Sequence, residues 1–147
     1  MNILVDTPMW SLALRRKKQK ASSSLKDYLI VEELKELIKE MRTVIIGQIR
    51  QEILSGISDQ SQFMKLRNYL RSFQDLEIDS IDHEKAAEFH NICRRKGIQG
   101  SHIDFLICSI AKRHDLPIFT TDKDLILYAK LLHLAIYKPR NNHKTTK

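Results

Sequence analysis

The chain has 147 residues, of which 42% are apolar and 29% charged, and its formal net charge is +7. This length fits one domain of the usual size, roughly 100–200 residues, and the apolar content excludes a chain that is disordered throughout. No stretch approaches the roughly 18 apolar residues of a membrane span, and the start lacks the features of a signal peptide. We therefore expect a cytoplasmic protein that does not associate with membranes.

Positive charge is concentrated in two segments without acidic residues. Their nine basic residues are Arg15, Arg16, Lys17, Lys18 and Lys20 in the first, and Lys138, Arg140, Lys144 and Lys147 in the second. Without these nine, 16 basic and 18 acidic residues remain, so the rest of the chain is nearly neutral. This distribution predicts a polyanionic partner, although solubility alone would explain the second segment. We expect residues 1–138 to form the domain and residues 139–147 a flexible basic tail.

The first half of the chain predicts two strands and three helical regions. Residues 2–5 are an apolar run that predicts a buried strand, and the Asp6-Thr7-Pro8 sequence after it indicates the start of a helix. The basic residues 15–20 and the serines that follow predict a loop. Apolar residues at helical spacing over 25–41 predict one amphipathic helix or a bent pair. A β-branched strand at 43–46 and a helix at 48–54 come next.

The second half continues the alternation of helices and strands. Helices are predicted at 59–71, 82–96, from residue 101 and at 122–132, with strands at 76–78, 117–120 and 134–137. Strands separated by helices indicate a mostly parallel sheet covered on both faces. The predicted fold class is therefore α/β, a three-layer α/β/α arrangement around a sheet of about five strands.

Four acidic residues are candidates for one functional site. Asp6 and Asp122 directly follow predicted strands, and ligands of parallel sheets bind at that edge. Asp104 opens the helix that leads to the Asp122 strand, and Glu52 lies on an earlier crossover helix. Each also has a structural interpretation, since Asp6 suits a turn, Asp104 and Asp122 suit helix caps, and Glu52 suits a solvated helix face. Their joint occurrence is what indicates a site.

Four segments carry a family resemblance: ILVDTPMW, IRQEILSG, GSHIDFLICSIAKRHDLPIFTTDKDL and LAIYKP. In order and spacing they resemble the PIN-domain ribonucleases, and most closely the VapC toxins of bacterial toxin–antitoxin pairs. The resemblance places Asp6, Glu52, Asp104 and Asp122 on the acidic positions of that family. Asp124 is adjacent to the last of these and shares or replaces its role.

The resemblance implies a PIN-like fold and a divalent-metal-dependent endoribonuclease. It implies hydrolysis of RNA phosphodiester bonds, with transfer RNA the commonest target, leaving a 3′-hydroxyl and a 5′-phosphate. Clustered carboxylates repel one another, and Mg²⁺ or Mn²⁺ would supply the opposite charge. We expect Asp6 and Asp104 to be direct metal ligands, with Glu52 and Asp122 acting through water or a second ion.

Further residues are candidates for supporting roles. Thr7, Ser101 and Thr120 are expected to orient waters or the phosphate, although helix capping explains Thr7 and Ser101 equally well. His102 is a candidate phosphate contact. The basic cluster is a candidate track for the RNA backbone: Arg15, Arg16, Lys17 and Lys18.

The resemblance also implies protein partners. A VapB-like antitoxin is expected to cover the toxin, and the amphipathic segment 25–41 suits either that contact or a homodimer. The rival interpretation is a non-catalytic RNA-binding or protein-interaction module that keeps the PIN fold. The chain has only four glycines and neither glycine-rich nucleotide-binding motif, so those nucleotide-binding classes are excluded.

Overall fold

Short strands are separated by one or more helices in the residues that the computed structural model describes, which are 1–14 and 24–140. In chain order the elements are β1 (Ile3–Val5), α1 (Thr7–Leu14), α2 (Leu25–Lys39), β2 (Thr43–Val44), α3 (Gly47–Leu54), α4 (Gln60–Leu70), α5 (Ser80–Arg95), α6 (His102–His114), β3 (Ile118–Phe119) and α7 (Lys123–Leu131). The basic cluster at 15–18 and residues 141–147 of the predicted tail lie outside the described residues.

The sheet is parallel, with strand order β2-β1-β3. Leu4 of the central strand is in register with Val44 on one side and with Ile118 on the other. Two further segments pair at the edges through single parallel bridges, Ile45 with Asp75 and Ile118 with Ile136. The predicted α/β fold with a mostly parallel sheet is confirmed, and five segments of the described residues contribute to that sheet.

The direction of each crossover explains why helices cover both faces. The chain moves from β1 to β2 and on to Asp75 in one direction, then returns across the sheet to β3. Because crossovers between parallel strands are right-handed, a reversal of direction places the following helices on the opposite face. The contacts agree, since α1 packs against α2 and α3, whereas α6 packs against α5 and α7.

The core is built around β1, whose three side chains are fully buried. A strand buried on both faces needs an uninterrupted apolar run, which Ile3, Leu4 and Val5 supply. Trp10 is also fully buried, and its indole Nε1–H donates to the carbonyl of Val5 at 3.1 Å. No helix in the described ranges is sufficiently long and apolar to cross a bilayer.

Several predicted elements differ in detail from the structure. Residues 25–39 form one continuous helix, and Ser24 caps its start by accepting the backbone N–H of Asp27. The strand predicted at 76–78 is instead a single bridge at Asp75, continued by the bond from the Leu76 N–H to the Ile45 carbonyl. The strand predicted at 134–137 forms one parallel bridge, between Ile136 and Ile118. The Ile118 N–H donates to the Ala135 carbonyl, and the Tyr137 N–H donates to the Ile118 carbonyl.

Two further differences have clear side-chain causes. Helix α5 begins two residues before the predicted start, because the Asp82 carboxylate accepts the backbone N–H of Asp79 at 2.9 Å and caps the first turn. Arg140 was expected to lie in the flexible tail, but its guanidinium pairs with buried Glu33 at 2.8 Å and with Glu40 at 3.1 Å. Arg140 therefore belongs to the folded part of the chain.

Candidate active site

Asp6 lies where the central strand ends, and its backbone and carboxyl group both have partners. Its N–H donates to the Phe119 carbonyl at 3.0 Å, and its own carbonyl accepts the Met9 N–H in the first turn of α1. The carboxyl group accepts a hydrogen bond from the Thr120 hydroxyl at 2.8 Å. Only 5% of the residue is exposed. The carboxyl group is therefore held in place at the edge of the sheet.

Thr120 connects Asp6 to the acid that follows the neighbouring strand. Its hydroxyl donates to Asp6 and accepts the backbone N–H of Asp122 at 3.0 Å. Asp122 is the N-cap of α7, and one of its carboxylate oxygens, Oδ1, accepts the backbone N–H groups of Asp124 and Leu125. Asp122 therefore does cap the helix, and it also lines the same cleft as Asp6.

Glu52 and Asp104 come from helices on the two sides of that edge. Glu52 lies in the last turn of α3, and its Oε1 accepts a hydrogen bond from the Thr7 hydroxyl at 2.5 Å. Asp104 lies in the first turn of α6, where the hydroxyl of Ser101 accepts its backbone N–H at 3.1 Å. Helix ends therefore orient Asp104 and Asp122, and a side-chain bond orients Glu52.

The four acids line a single cleft of about 220 Å³, which we call the acidic cleft. Its walls are formed by Asp6, Thr7, Pro8, Glu52, Ile103, Asp104, Ile107 and Asp122. Within the described ranges none of these four carboxylates takes part in a salt bridge. Negative charge is thus concentrated at the carboxyl edge of the sheet without a basic partner from the described residues.

The crowding of carboxylates changes their ionisation. Burial raises the pKa of Asp6 to about 6, and the charges of Asp104 and Glu52 add to that rise against the opposing hydrogen bonds from Thr120 and Thr7. Burial also raises the pKa of Asp104, with further contributions from Asp122 and Glu52. A buried acid with negative neighbours favours its neutral form, so a cation in the cleft would stabilise the ionised form.

The predicted site residues fall into distinct groups. Asp6, Thr7, Glu52, Asp104 and Asp122 line the acidic cleft, whereas Thr120 is buried behind Asp6 as its hydrogen-bond donor. Ser101 acts as a helix cap at the edge of the site.

Two predicted site residues lie elsewhere. Asp124 is exposed on α7 and is not part of the cleft wall. His102 lines a neighbouring cavity. The four basic candidates at 15–18 fall outside the described residues.

The donor set of the acidic cleft suits a hard divalent cation. All four charged groups are carboxylates, which are the ligands that Mg²⁺ and Mn²⁺ prefer. Across residues 1–14 and 24–140, no three His, Cys, Asp or Glu side chains are already gathered closely enough to hold an ion. The residues therefore match the cation in chemistry, and their carboxylates are spread around the cleft.

Sequence reasoning missed several residues around the site. The apolar wall of the acidic cleft consists of Pro8, Ile103 and Ile107. The two isoleucines are four residues apart on either side of Asp104, and this helical spacing is the sequence signal that would have identified them. Gln48, four residues before Glu52 on α3, lines the neighbouring cavity with His83, His90 and His102. No motif in the sequence marks that second group.

Comparison with solved structures finds several with the same fold. FitAcB from Neisseria gonorrhoeae matches with a TM-score of 0.71 at 21% identity, over 93% of this chain and 97% of that one. VapBC2 from Rickettsia felis, bound to a DNA fragment from its promoter, matches with a TM-score of 0.69 at 15% identity, over 93% and 98%. A toxin–antitoxin complex from Klebsiella pneumoniae matches with a TM-score of 0.62 at 17% identity, over 95% and 99%.

Sequence comparisons complete the assignment. No curated protein sequence gives a significant match to this chain. The family model of the PIN domain matches residues 3–131, which span β1 to α7 and include all four acids of the cleft. The predicted family resemblance is confirmed, and the chain belongs to the PIN-domain family.

Proposed function

We propose that this protein is a divalent-metal-dependent endoribonuclease that acts as the toxin of a toxin–antitoxin pair. The observation that carries the proposal is the acidic cleft, where Asp6, Glu52, Asp104 and Asp122 meet at the carboxyl edge of the sheet. Membership of the PIN-domain family supports a nuclease, and the folds of the three similar structures support a toxin. The location expected for such a protein is the cytoplasm.

The carboxylates of the cleft would hold Mg²⁺ or Mn²⁺, with Asp6 and Asp104 as direct ligands. Glu52 and Asp122 would act through water or a second ion, and Asp124 lies too far onto the exposed face of α7 to line the cleft. When bound, the ion supplies a Lewis acid for the phosphoryl oxygen and a water of lowered pKa. Thr120 fixes the carboxyl group of Asp6 by its hydrogen bond, and Thr7 does the same for Glu52.

RNA is the substrate that the charge distribution supports. The chain carries a net charge of +7, although the acids gathered in the cleft would repel a polyanion at that point. Basic residues outside the cleft are therefore needed to attract the backbone, and Arg15, Arg16, Lys17 and Lys18 are the densest cluster in the sequence. Hydrolysis would leave a 3′-hydroxyl and a 5′-phosphate, with transfer RNA as the expected target.

An antitoxin partner follows from the same negative cleft. Four carboxylates without a basic partner from the described residues would attract an arginine from another chain, since a guanidinium pairs with carboxylates in a bidentate manner. The similar structure from Klebsiella pneumoniae is a toxin–antitoxin complex. We expect a VapB-like antitoxin to cover the cleft, and a toxin homodimer.

The decisive experiment is a cleavage assay with the purified full chain. End-labelled transfer RNA is incubated with Mg²⁺, with Mn²⁺ and with EDTA, using wild type, Asp6→Asn and Asp104→Asn. Cleavage is expected only with the metal ions, and each variant should be slower by about 100-fold or more. Asp115→Asn is the matched control, because Asp115 is exposed at the far end of α6 and its backbone, with φ of 53°, suits Asn.

Two results would overturn the proposal. One is cleavage by Asp6→Asn at the wild-type rate, which would remove the acidic cleft from the reaction. The other is binding of RNA without cleavage under any divalent ion, which would favour the non-catalytic module with the PIN fold.

A further inference from the structure

A second cavity, of about 330 Å³, adjoins the acidic cleft, and Ile103 contributes to the walls of both. We call it the histidine cavity. Its polar lining consists of two amides and three imidazoles, Gln48, Asn91, His83, His90 and His102. This volume lies at the lower end of the roughly 300–1,000 Å³ range of small-molecule sites. The cavity therefore has room for one planar group with several hydrogen bonds.

Flat rings form part of its wall. The rings of His90 and His102 are nearly parallel, 24° apart in plane with centroids 5.9 Å apart. The ring of Phe105 stands at 90° to that of His90, with centroids 5.3 Å apart. Side chains of this kind are the surfaces on which proteins stack single-stranded bases.

Gln48 supplies a second, independent indication of a ligand. Its Oε1 atom is buried and has no hydrogen-bond partner among the described residues. A buried acceptor without a donor costs free energy, and a ligand that donates to it after the Gln48 side chain turns towards the cavity would remove this cost. Gln48 also lies one helical turn before Glu52 on α3, so both side chains are on the same face of that helix.

The three imidazoles do not make a metal site. Among the described residues no set of three His, Cys, Asp or Glu side chains is arranged to hold an ion, and that includes His83, His90 and His102. The amides of Gln48 and Asn91 offer both donors and acceptors, which is the chemistry that reads the edge of a base.

We propose that the histidine cavity is the binding subsite for the nucleobase beside the scissile phosphate, with Gln48 selecting the base and His102 stacking on it. The inference deepens the proposed ribonuclease function and rests on it for the choice of RNA as ligand. The scissile phosphate would lie in the acidic cleft, and the adjoining nucleotide would extend past Ile103 into the histidine cavity.

Base preference is measured by binding, separately from cleavage. Fluorescence anisotropy measures the affinity of the full chain for four labelled ribonucleotide pentamers, each made of A, C, G or U alone. The measurements are made once with EDTA and once with Ca²⁺. Wild type is expected to favour one base by about tenfold, and Gln48→Ala to remove that preference. His102→Ala should weaken binding of all four by about tenfold, because stacking does not depend on the base.

Two further variants keep the test independent of folding. Gln48→Met preserves the size of the side chain but removes its amide, so the base preference should be lost while the melting temperature stays near that of wild type. Gln51→Ala is the matched control, since Gln51 is exposed on the same helix and lines neither cavity. Its affinity and preference should equal those of wild type.

The outcomes separate this inference from the ribonuclease proposal. An unchanged base preference in both Gln48 variants overturns the subsite, even where metal-dependent cleavage is observed. A wild type that discriminates bases through Gln48 but cleaves no RNA supports the subsite and overturns the nuclease activity. Calorimetric binding of Zn²⁺ without RNA, abolished in His90→Ala and His102→Ala, would reassign the cavity to a metal ion.

Discussion

A single residue, Asp6, both connects two strands of the sheet and supplies a carboxyl group to the acidic cleft. Its backbone connects β1 to β3 through the Phe119 carbonyl, and its carboxyl group is fixed by Thr120. Burial and the neighbouring acids raise the pKa of that carboxyl group to about 6. Because the acid in an unfolded chain titrates near 3.8, its ionised form is less favourable in the folded protein.

The substitution Asp6→Asn should therefore stabilise the protein in metal-free buffer near neutral pH. Between about pH 4 and 6 the folded state binds the Asp6 proton more tightly than the unfolded state, so this residue's contribution to the free energy of unfolding falls as pH rises through that window. Above about pH 6 the ionised Asp6 carboxylate lowers the free energy of unfolding by roughly 3 kcal/mol at most. An Asn side chain carries no charge and avoids this loss, while its oxygen still accepts the hydrogen bond from Thr120.

Urea denaturation with EDTA measures this difference. The variant should exceed wild type by about 1–3 kcal/mol near pH 7.5 and match it near pH 4. Added Mn²⁺ should reverse the order by stabilising only the wild type. A gain that is equal at both pH values would show that charge at Asp6 is not its cause, and Asp115→Asn should show no gain.

A second pair of substitutions distinguishes the contribution of Asp122 to cleavage from that of Asp124. Asp122 lines the acidic cleft, whereas Asp124 is exposed on α7 and contributes only a minor rise to the pKa of Asp104. Asp122→Asn should lower metal-dependent cleavage by about 10-fold or more, and Asp124→Asn by less than about threefold. Asn preserves the helix cap at 122, so both proteins should melt near wild type. Equal reductions in activity would contradict this assignment.

At the scale of elements, the site depends on where helices begin. Helix α6 starts at the Ser101 cap, which places Asp104 in the acidic cleft and Phe105 in the core. Phe105 also packs against Tyr128 of α7, with ring centroids 4.9 Å apart. The turn before α6 is tight, because a Cβ atom on Gly100 would lie 2.7 Å from the Tyr128 ring and 2.9 Å from that of Phe105.

Gly100→Ala should consequently destabilise the fold. The new methyl group would overlap two packed rings, and the Tyr128 hydroxyl is held by its bond to the Gln99 carbonyl. Overpacking of this kind costs about 1–3 kcal/mol. Chemical denaturation provides the measurement, and the same substitution in a Tyr128→Ala background is its control. The cost should shrink in that background, and an equal cost in both would exclude the clash with Tyr128.

At the scale of the whole molecule, an acidic cleft belongs to a chain of net positive charge. The acidic cleft concentrates four carboxylates, whereas the chain as a whole carries +7, with its densest basic cluster at residues 15–18. The overall positive charge would attract a polyanion such as RNA. The four carboxylates would repel its phosphates, so a phosphate could enter the acidic cleft only together with a cation. Affinity and chemistry are thus expected to depend on different residues.

Replacing Arg15, Arg16, Lys17 and Lys18 by Gln should weaken RNA binding and flatten its salt dependence. Each phosphate that is no longer neutralised lowers the slope of log K against log salt by about 0.7 for single strands, while the rate at saturating RNA should stay near wild type. Binding is measured over a range of salt concentrations. The control removes the same total charge elsewhere, from Lys26, Lys35, Lys39 and Lys65. Identical slopes for the two variants would contradict a specific RNA track.

The sequence by itself determined the order of the elements and the identity of the four acids. The apolar run before Asp6, the helical spacing around Asp104 and the cap at Asp122 are local patterns, and local patterns depend on neighbouring residues in the chain. The extent of the strand predicted at 76–78 could not be obtained in this way, since its pairing depends on Ile45, about thirty residues away.

Only the tertiary structure decided which side chains face one another. Thr120 bonds to Asp6 across 114 residues, and Glu52 bonds to Thr7 across 45. Helix α6 places His102 with Gln48 in the histidine cavity, which adjoins the acidic cleft. Such contacts depend on how α3, α5 and α6 pack against the sheet, and no spacing within a single segment encodes that packing.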